Sequence, residues 1–154
     1  YFDGSLPAAG ASTQAEQKVI DLVAAAVADA DAAIDAVAPQ DALTAVWRIV
    51  DELNGYITEQ APWKVAKEDP DSDRLATILA TAAEGLRVLA VLLNPVIPKA
   101  SAVLWDSLGA ESALGALAEQ RIDGVAAWGQ LPAGSPVTKP SSLFPRIEAA
   151  AAAQ

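Results

Sequence analysis

The stretch DALTAVWRIVDELNGYITEQAPW, Asp41 to Trp63, decides how the rest of the chain is read. Leu43, Val46, Trp47, Val50, Leu53 and Ile57 recur at steps of three and four, the signature of a helix with one apolar stripe. Asp41 has the side chain of a good N-cap, and Asn54 sits at the edge of the stripe. Proline has no amide to donate and disfavours the helical conformation in the residue before it, so the helix must stop ahead of Pro62. Trp63 therefore emerges at a helix end.

Upstream, Thr13 and Glu16 form a capping box, and Val19, Ile20, Val23 and Val27 follow at helical spacing, so a first helix is expected to end near Pro39. Its other side carries Asp21, Asp29, Asp31 and Asp35. With no histidine in the chain and no glycine-bearing calcium loop, these read as a solvated acidic face and not as a metal cluster. Residues 1–12, rich in glycine, alanine and serine, read as a lead-in loop. Downstream, a polar connection over Lys67 to Ser72 leads to Asp73, expected to cap a third helix through Leu75, Ile78, Leu79, Leu86, Leu89 and Leu93. This should be the most buried helix, and Asn94-Pro95 ends it. Pro98 opens a fourth, with Ala100, Val103, Leu104 and Leu108 inward and Gly109 as its stop. Glu111 to Gln120 adds a short fifth. Beyond Arg121 the periodicity fades into a mostly extended tail, strapped to the surface by its apolar residues, and the alanines after Glu148 read as a frayed helix. Trp47, Trp105 and Trp128 lie within apolar patterns and are expected in the core. The expectation is one all-α domain: a bundle of four to five helices over 13–120, with the tail over 121–154 packing back on it.

Composition narrows the chemistry. Over half of the 154 residues are apolar, which suits a packed chain and not a disordered one. Histidine, cysteine and methionine are absent, which removes zinc clusters, disulfides, thiol nucleophiles and the serine–histidine triad. No catalytic or metal-binding residue is expected. A chain that opens on Tyr1-Phe2 without methionine reads as a piece of something longer. The apolar run Val88 to Leu93 is interrupted at Asn94-Pro95, so no membrane span is expected and a cytoplasmic location is.

The net charge of −10 argues at first sight against a polyanionic partner. Its distribution weakens the objection. Ten acids precede Ala61 with only Lys18 and Arg48 against them, whereas beyond Pro62 ten acids face eight bases. A surface near Lys64, Lys67 and Arg74 could accept phosphate.

Four strings occur in order along the chain: YFDG (Tyr1 to Gly4), NGYITEQAPWKVAK (Asn54 to Lys67), LLNPVIPKAS (Leu92 to Ser101) and LFPRI (Leu143 to Ile147). Together they resemble methionyl-tRNA synthetases over nearly the whole length, most specifically in the asparagine–tyrosine–alanine–proline–tryptophan arrangement. The resemblance implies a class I anticodon-binding helical bundle that receives the anticodon loop of tRNA(Met). It implies that Trp63, held by Pro62, stacks on a base, while Asn54, Tyr56 and Gln60 contact base edges or brace the indole. Lys64, Lys67 and Arg74 are candidate phosphate contacts. ATP and methionine would bind a catalytic domain of the same enzyme, a partner absent from this chain, so no cofactor is expected here, nor any DNA or membrane partner. A first anticodon helix that carries an asparagine and an arginine in the family would precede Tyr1. Two other readings stand beside this one: a helical interaction or scaffold domain, favoured by a buried Trp63, and the equivalent domain of a sister synthetase for leucine, isoleucine or valine.

Overall fold

The computed structural model describes residues 1–140 and 142–145; Arg146, Ile147 and the expected helix after Glu148 lie outside the described residues. Among the described residues the chain forms α1 (Gln14–Asp35), α2 (Pro39–Gln60), α3 (Pro62–Glu68), α4 (Asp73–Leu93), α5 (Pro98–Ser107), α6 (Ala110–Leu114) and α7 (Ile122–Val125), with 3-10 turns at Phe2–Gly4 and Leu117–Glu119. The architecture is the expected helical bundle.

The long hairpin of α1 and α2 is the largest packing unit. Thr13 and Glu16 form the complete capping box that opens α1, and Val19, Val23, Ala26, Val27 and Ala30 bury one face. From α2 they meet Ala42, Ala45, Val46, Ile49, Leu53 and Tyr56. This buried face is rotated from the stripe read in the sequence, because Ala42 and Ala45 point inward where close helix approach needs small residues. Leu43 and Trp47 turn aside as a result. Trp47 is 58% exposed, which corrects its expected place in the core. Asp41 is likewise corrected: α2 starts at Pro39, so Asp41 sits in the first turn, where its charge suits the helix dipole.

α1 closes with the hydrogen bonds of a Schellman motif: the Val37 N–H donates to the Ile34 carbonyl (2.9 Å) and that of Ala38 to the Ala33 carbonyl (2.8 Å). The motif places Val37 at φ 57°, a left-handed conformation that a β-branched residue resists. Its side chain is 86% exposed and so has little packing to lose. Val37→Gly is therefore expected to raise stability by about 1 kcal/mol. A higher urea midpoint with an unchanged slope would show it; a lower midpoint would refute it.

α4 runs through the middle, capped by Ser72, whose hydroxyl accepts from the Leu75 N–H, and not by Asp73 as expected. By length and apolarity α4 passes as a membrane span, contrary to the reading of the sequence, but most of it is buried among the other helices. That burial accounts for its composition. Gly85 lets α2 come close, since a Cβ there would lie 2.6 Å from the Leu53 methyls. A second cluster forms where α5 and the tail meet α4, around Leu6, Ala83, Ala90, Trp105, Leu108, Ala110, Leu117 and Leu131. Trp105 is buried as expected, Trp128 is half-buried against the first cluster, and Val103 points outward, contrary to expectation.

The tail is strapped on, as its apolar residues suggest, although it contains the short helix α7. Leu6 donates to the Ser135 carbonyl (2.8 Å) and its own carbonyl accepts from Gly134 (2.8 Å), so the lead-in and the tail pair locally. A buried ion pair holds the tail from the α4 side. Arg87 donates to Glu84 (3.0 Å) and to the carbonyls of Val125 (3.0 Å) and Ala127 (2.8 Å). Glu84 in turn accepts from the backbone N–H groups of Gly129 (3.1 Å) and Leu131 (2.6 Å).

Candidate nucleic-acid interface

Where α2 ends, the chain makes a sharp turn at a position that the sequence marks. Pro62 cannot extend α2, and the residue before it is driven out of the right-handed helical region; Ala61 adopts φ 44°, ψ 59°. Pro62 then occupies the first position of α3, where a missing N–H costs nothing. Trp63 stands on the first turn of this short helix, 50% exposed. The expectation that it emerges at a helix end holds, with the addition that a new helix starts there at once.

The other candidate residues divide into two groups. Asn54, Lys64 and Lys67 are exposed, and neither lysine is in an ion pair with a described residue. The surface is mixed in charge, because Glu59, Glu68 and Asp69 are exposed on the same stretch of chain. Tyr56, Gln60 and Arg74 turn inward instead. Tyr56 is 3% exposed and its hydroxyl donates to Glu16 Oε1 (2.5 Å), which corrects its assignment as a base-edge contact. Arg74 donates from Nη2 to the same oxygen (2.9 Å) and to Gln60 Oε1, so it is a structural cation and not a phosphate contact. Gln60, half-buried and held by Arg74, braces the end of α2.

Glu16 is the centre of this arrangement. Its Oε2 accepts from the N–H and the hydroxyl of Thr13 (both 2.7 Å), while Oε1 receives Tyr56 and Arg74. Burial by itself would raise the Glu16 pKa, but the bonds from Arg74, Tyr56 and Thr13 together outweigh it and hold the carboxyl far below the usual carboxylate range. Burial, and then the bond to Glu16, push the Tyr56 phenol well above its ordinary value. The hydrogen bond to Glu16 also raises the pKa of Arg74. In the sequence Glu16 was legible only as a capping residue. The signal that could have found its second role is Tyr56 itself, which falls three residues after Leu53 on the buried face.

Among the described residues no group of histidine, cysteine, aspartate or glutamate side chains could hold a metal ion. The acidic face of α1 is a surface, and Asp29 is paired there with Arg48 of α2 (2.6 Å).

Comparison with known proteins adds the rest. A family model described as the anticodon binding domain of methionyl tRNA ligase matches residues 6–154. The chain is 57% identical over 151 residues to a methionine–tRNA ligase of Streptomyces coelicolor, covering 96% of this chain and 28% of that protein. It is 33% identical to the ligase of Listeria monocytogenes, covering 97% of this chain and 22% of that one. The apo form of Mycobacterium tuberculosis methionyl-tRNA synthetase superposes with a TM-score of 0.81 at 27% identity, over 96% of this chain and 29% of that structure. The chain thus spans less than a third of each of these relatives.

Proposed function

Since the chain belongs to the anticodon-binding domains of methionyl-tRNA ligases, we propose that it reads the anticodon loop of tRNA(Met) with Trp63 as its stacking platform. It does so within a cytoplasmic enzyme that joins methionine to that tRNA using ATP, both small substrates being held by a catalytic portion of the same protein. Single-stranded loops are recognised when bases leave their stack, lie on aromatic faces and offer their edges to polar groups. The observation that carries the reading is the half-exposed indole of Trp63 on the first turn of α3. An aromatic ring left in water at a helix junction is suited to a flat partner, and it weighs against the scaffold reading, which a buried tryptophan would have favoured. Asn54 is the edge contact of choice, and Lys64 and Lys67 supply phosphate contacts without sequence information.

Base–aromatic stacking contributes roughly 1–3 kcal/mol per base. Trp63→Ala in the full-length ligase is accordingly expected to lower kcat/KM for tRNA(Met) by about 10- to 100-fold. Methionine activation, followed by pyrophosphate exchange without tRNA, should be unchanged, and Trp63→Phe should retain most of the activity because it keeps an aromatic face. Equal aminoacylation by the alanine variant and the parent would sink the reading.

A further inference from the structure

We propose that Arg74, anchored on Glu16, is a positioning residue for Trp63: it clamps Gln60 at the end of α2 and thereby sets the turn from which the indole is presented. The functional consequence rests on Trp63 as the anticodon platform; the clamp itself does not.

Three helix ends converge on one guanidinium. Glu16 lies in the first turn of α1, Gln60 is the last residue of α2, and Arg74 is the second residue of α4. Oε2 of Glu16 already completes the capping box through Thr13, so the second oxygen is the one available to other helices. It receives Tyr56, one turn before the end of α2, and Arg74, whose Nη2 also holds the Gln60 side chain. The last turn of α2 is thus tied at two points, four residues apart. The next residue, Ala61, takes a left-handed conformation that an alanine adopts only where its surroundings enforce it. Pro62 fixes the far side of that turn, and Trp63 follows immediately. With the near side released, the end of α2 can fray and the indole can sample several directions, so that binding must pay for ordering it. The pair joins the buried Glu16 carboxylate to an Arg74 side chain that keeps about a third of its surface in water, and its role here is to place three helix ends relative to one another.

The test uses the full-length ligase labelled with 5-fluorotryptophan, the Trp63 resonance being assigned through Trp63→Phe. Gln60→Leu cuts only the strut to α2 and leaves the Glu16–Arg74 pair in place; Arg74→Met removes the clamp. Both are expected to shift or broaden the Trp63 fluorine signal while the Trp105 signal stays put. Both should also raise KM for tRNA(Met) about 3- to 10-fold with kcat and methionine activation unchanged. An unmoved Trp63 signal in Gln60→Leu and Arg74→Met overturns the proposal, whatever Trp63→Ala does to aminoacylation. So does a disturbance spread equally over the indoles of both variants, which would mark a general loss of structure. A moved Trp63 signal, with tRNA kinetics unaltered in these variants and in Trp63→Ala alike, supports the clamp and refutes the anticodon reading.

Discussion

Arg87→Ala is expected to cost about 3–5 kcal/mol of folding stability, the usual penalty for removing one partner of a buried ion pair. Arg87 is 1% exposed and Glu84 4%, so neither can turn to water when the other is lost. The substitution would also leave the carbonyls of Val125 and Ala127 without their buried donor, while Glu84 would keep its bonds from Gly129 and Leu131 as a poorly compensated charge. The damage should be directional. Residues 125–131 would lose hydrogen-exchange protection first, because Arg87 and Glu84 are what tie that segment to α4. Denaturant unfolding measures the total, and exchange locates it. The double variant Glu84→Gln, Arg87→Met should recover part of the loss, since it removes both charges together. A midpoint for Arg87→Ala within experimental error of the parent would show that the pair is not buried as described.

The second large effect is expected at Gly109. It adopts φ +67°, and a Cβ there would fall 2.5 Å from the Pro136 carbonyl oxygen, a backbone atom that cannot swing away as a side chain can. Gly109→Ala therefore meets two costs at once, the left-handed strain and the displacement of the tail. Together they should come to about 3 kcal/mol. The tail is tied on both sides of the contact: before it the Ser135 carbonyl accepts from the Leu6 N–H (2.8 Å), and after it Val137 donates to the Gly4 carbonyl (2.7 Å) and Thr138 to the Ser107 carbonyl (2.9 Å). Relief by moving Pro136 outward would strain or break these bonds. Faster proteolysis within 132–140, together with a lower urea midpoint, is the expected result. A variant as stable as the parent and equally resistant would mean that the tail does not cross the junction of α5 and α6 at Gly109.

The positions of the helices were largely legible in the sequence because their signals are local. A capping box, a proline at the first turn and a glycine at the stop act through atoms within a few residues of one another, and so Thr13, Pro62, Pro98 and Gly109 each mark a boundary close to the observed one. Asp41 and Asp73 misled for the same reason. Each is a good capping residue standing beside the true boundary, and the neighbouring Pro39 and Ser72 prevailed. The rotation of the α2 face was harder to read. Periodicity weighted by large residues favours Leu43 and Trp47, whereas close approach of α1 and α2 selects the small Ala42 and Ala45. Steric fit between two helices is not contained in either one alone.

The candidate interface divides along the same line. The motif of asparagine, tyrosine, alanine, proline and tryptophan was sufficient to name Trp63, and the proline ahead of it was sufficient to put it at a turn. Which of the flanking polar residues face water was not a matter of local pattern. Tyr56 and Arg74 were gathered inward by Glu16, 40 and 58 positions away in the chain, Gln60 was held by Arg74, 14 positions on, and Arg87 was matched with backbone carbonyls 38 and 40 positions on. Short-range stereochemistry specified where helices begin, end and turn. The choice between surface cation and buried strut waited for distant groups to meet, because a charge is stable inside only when partners arrive from elsewhere in the chain to satisfy it.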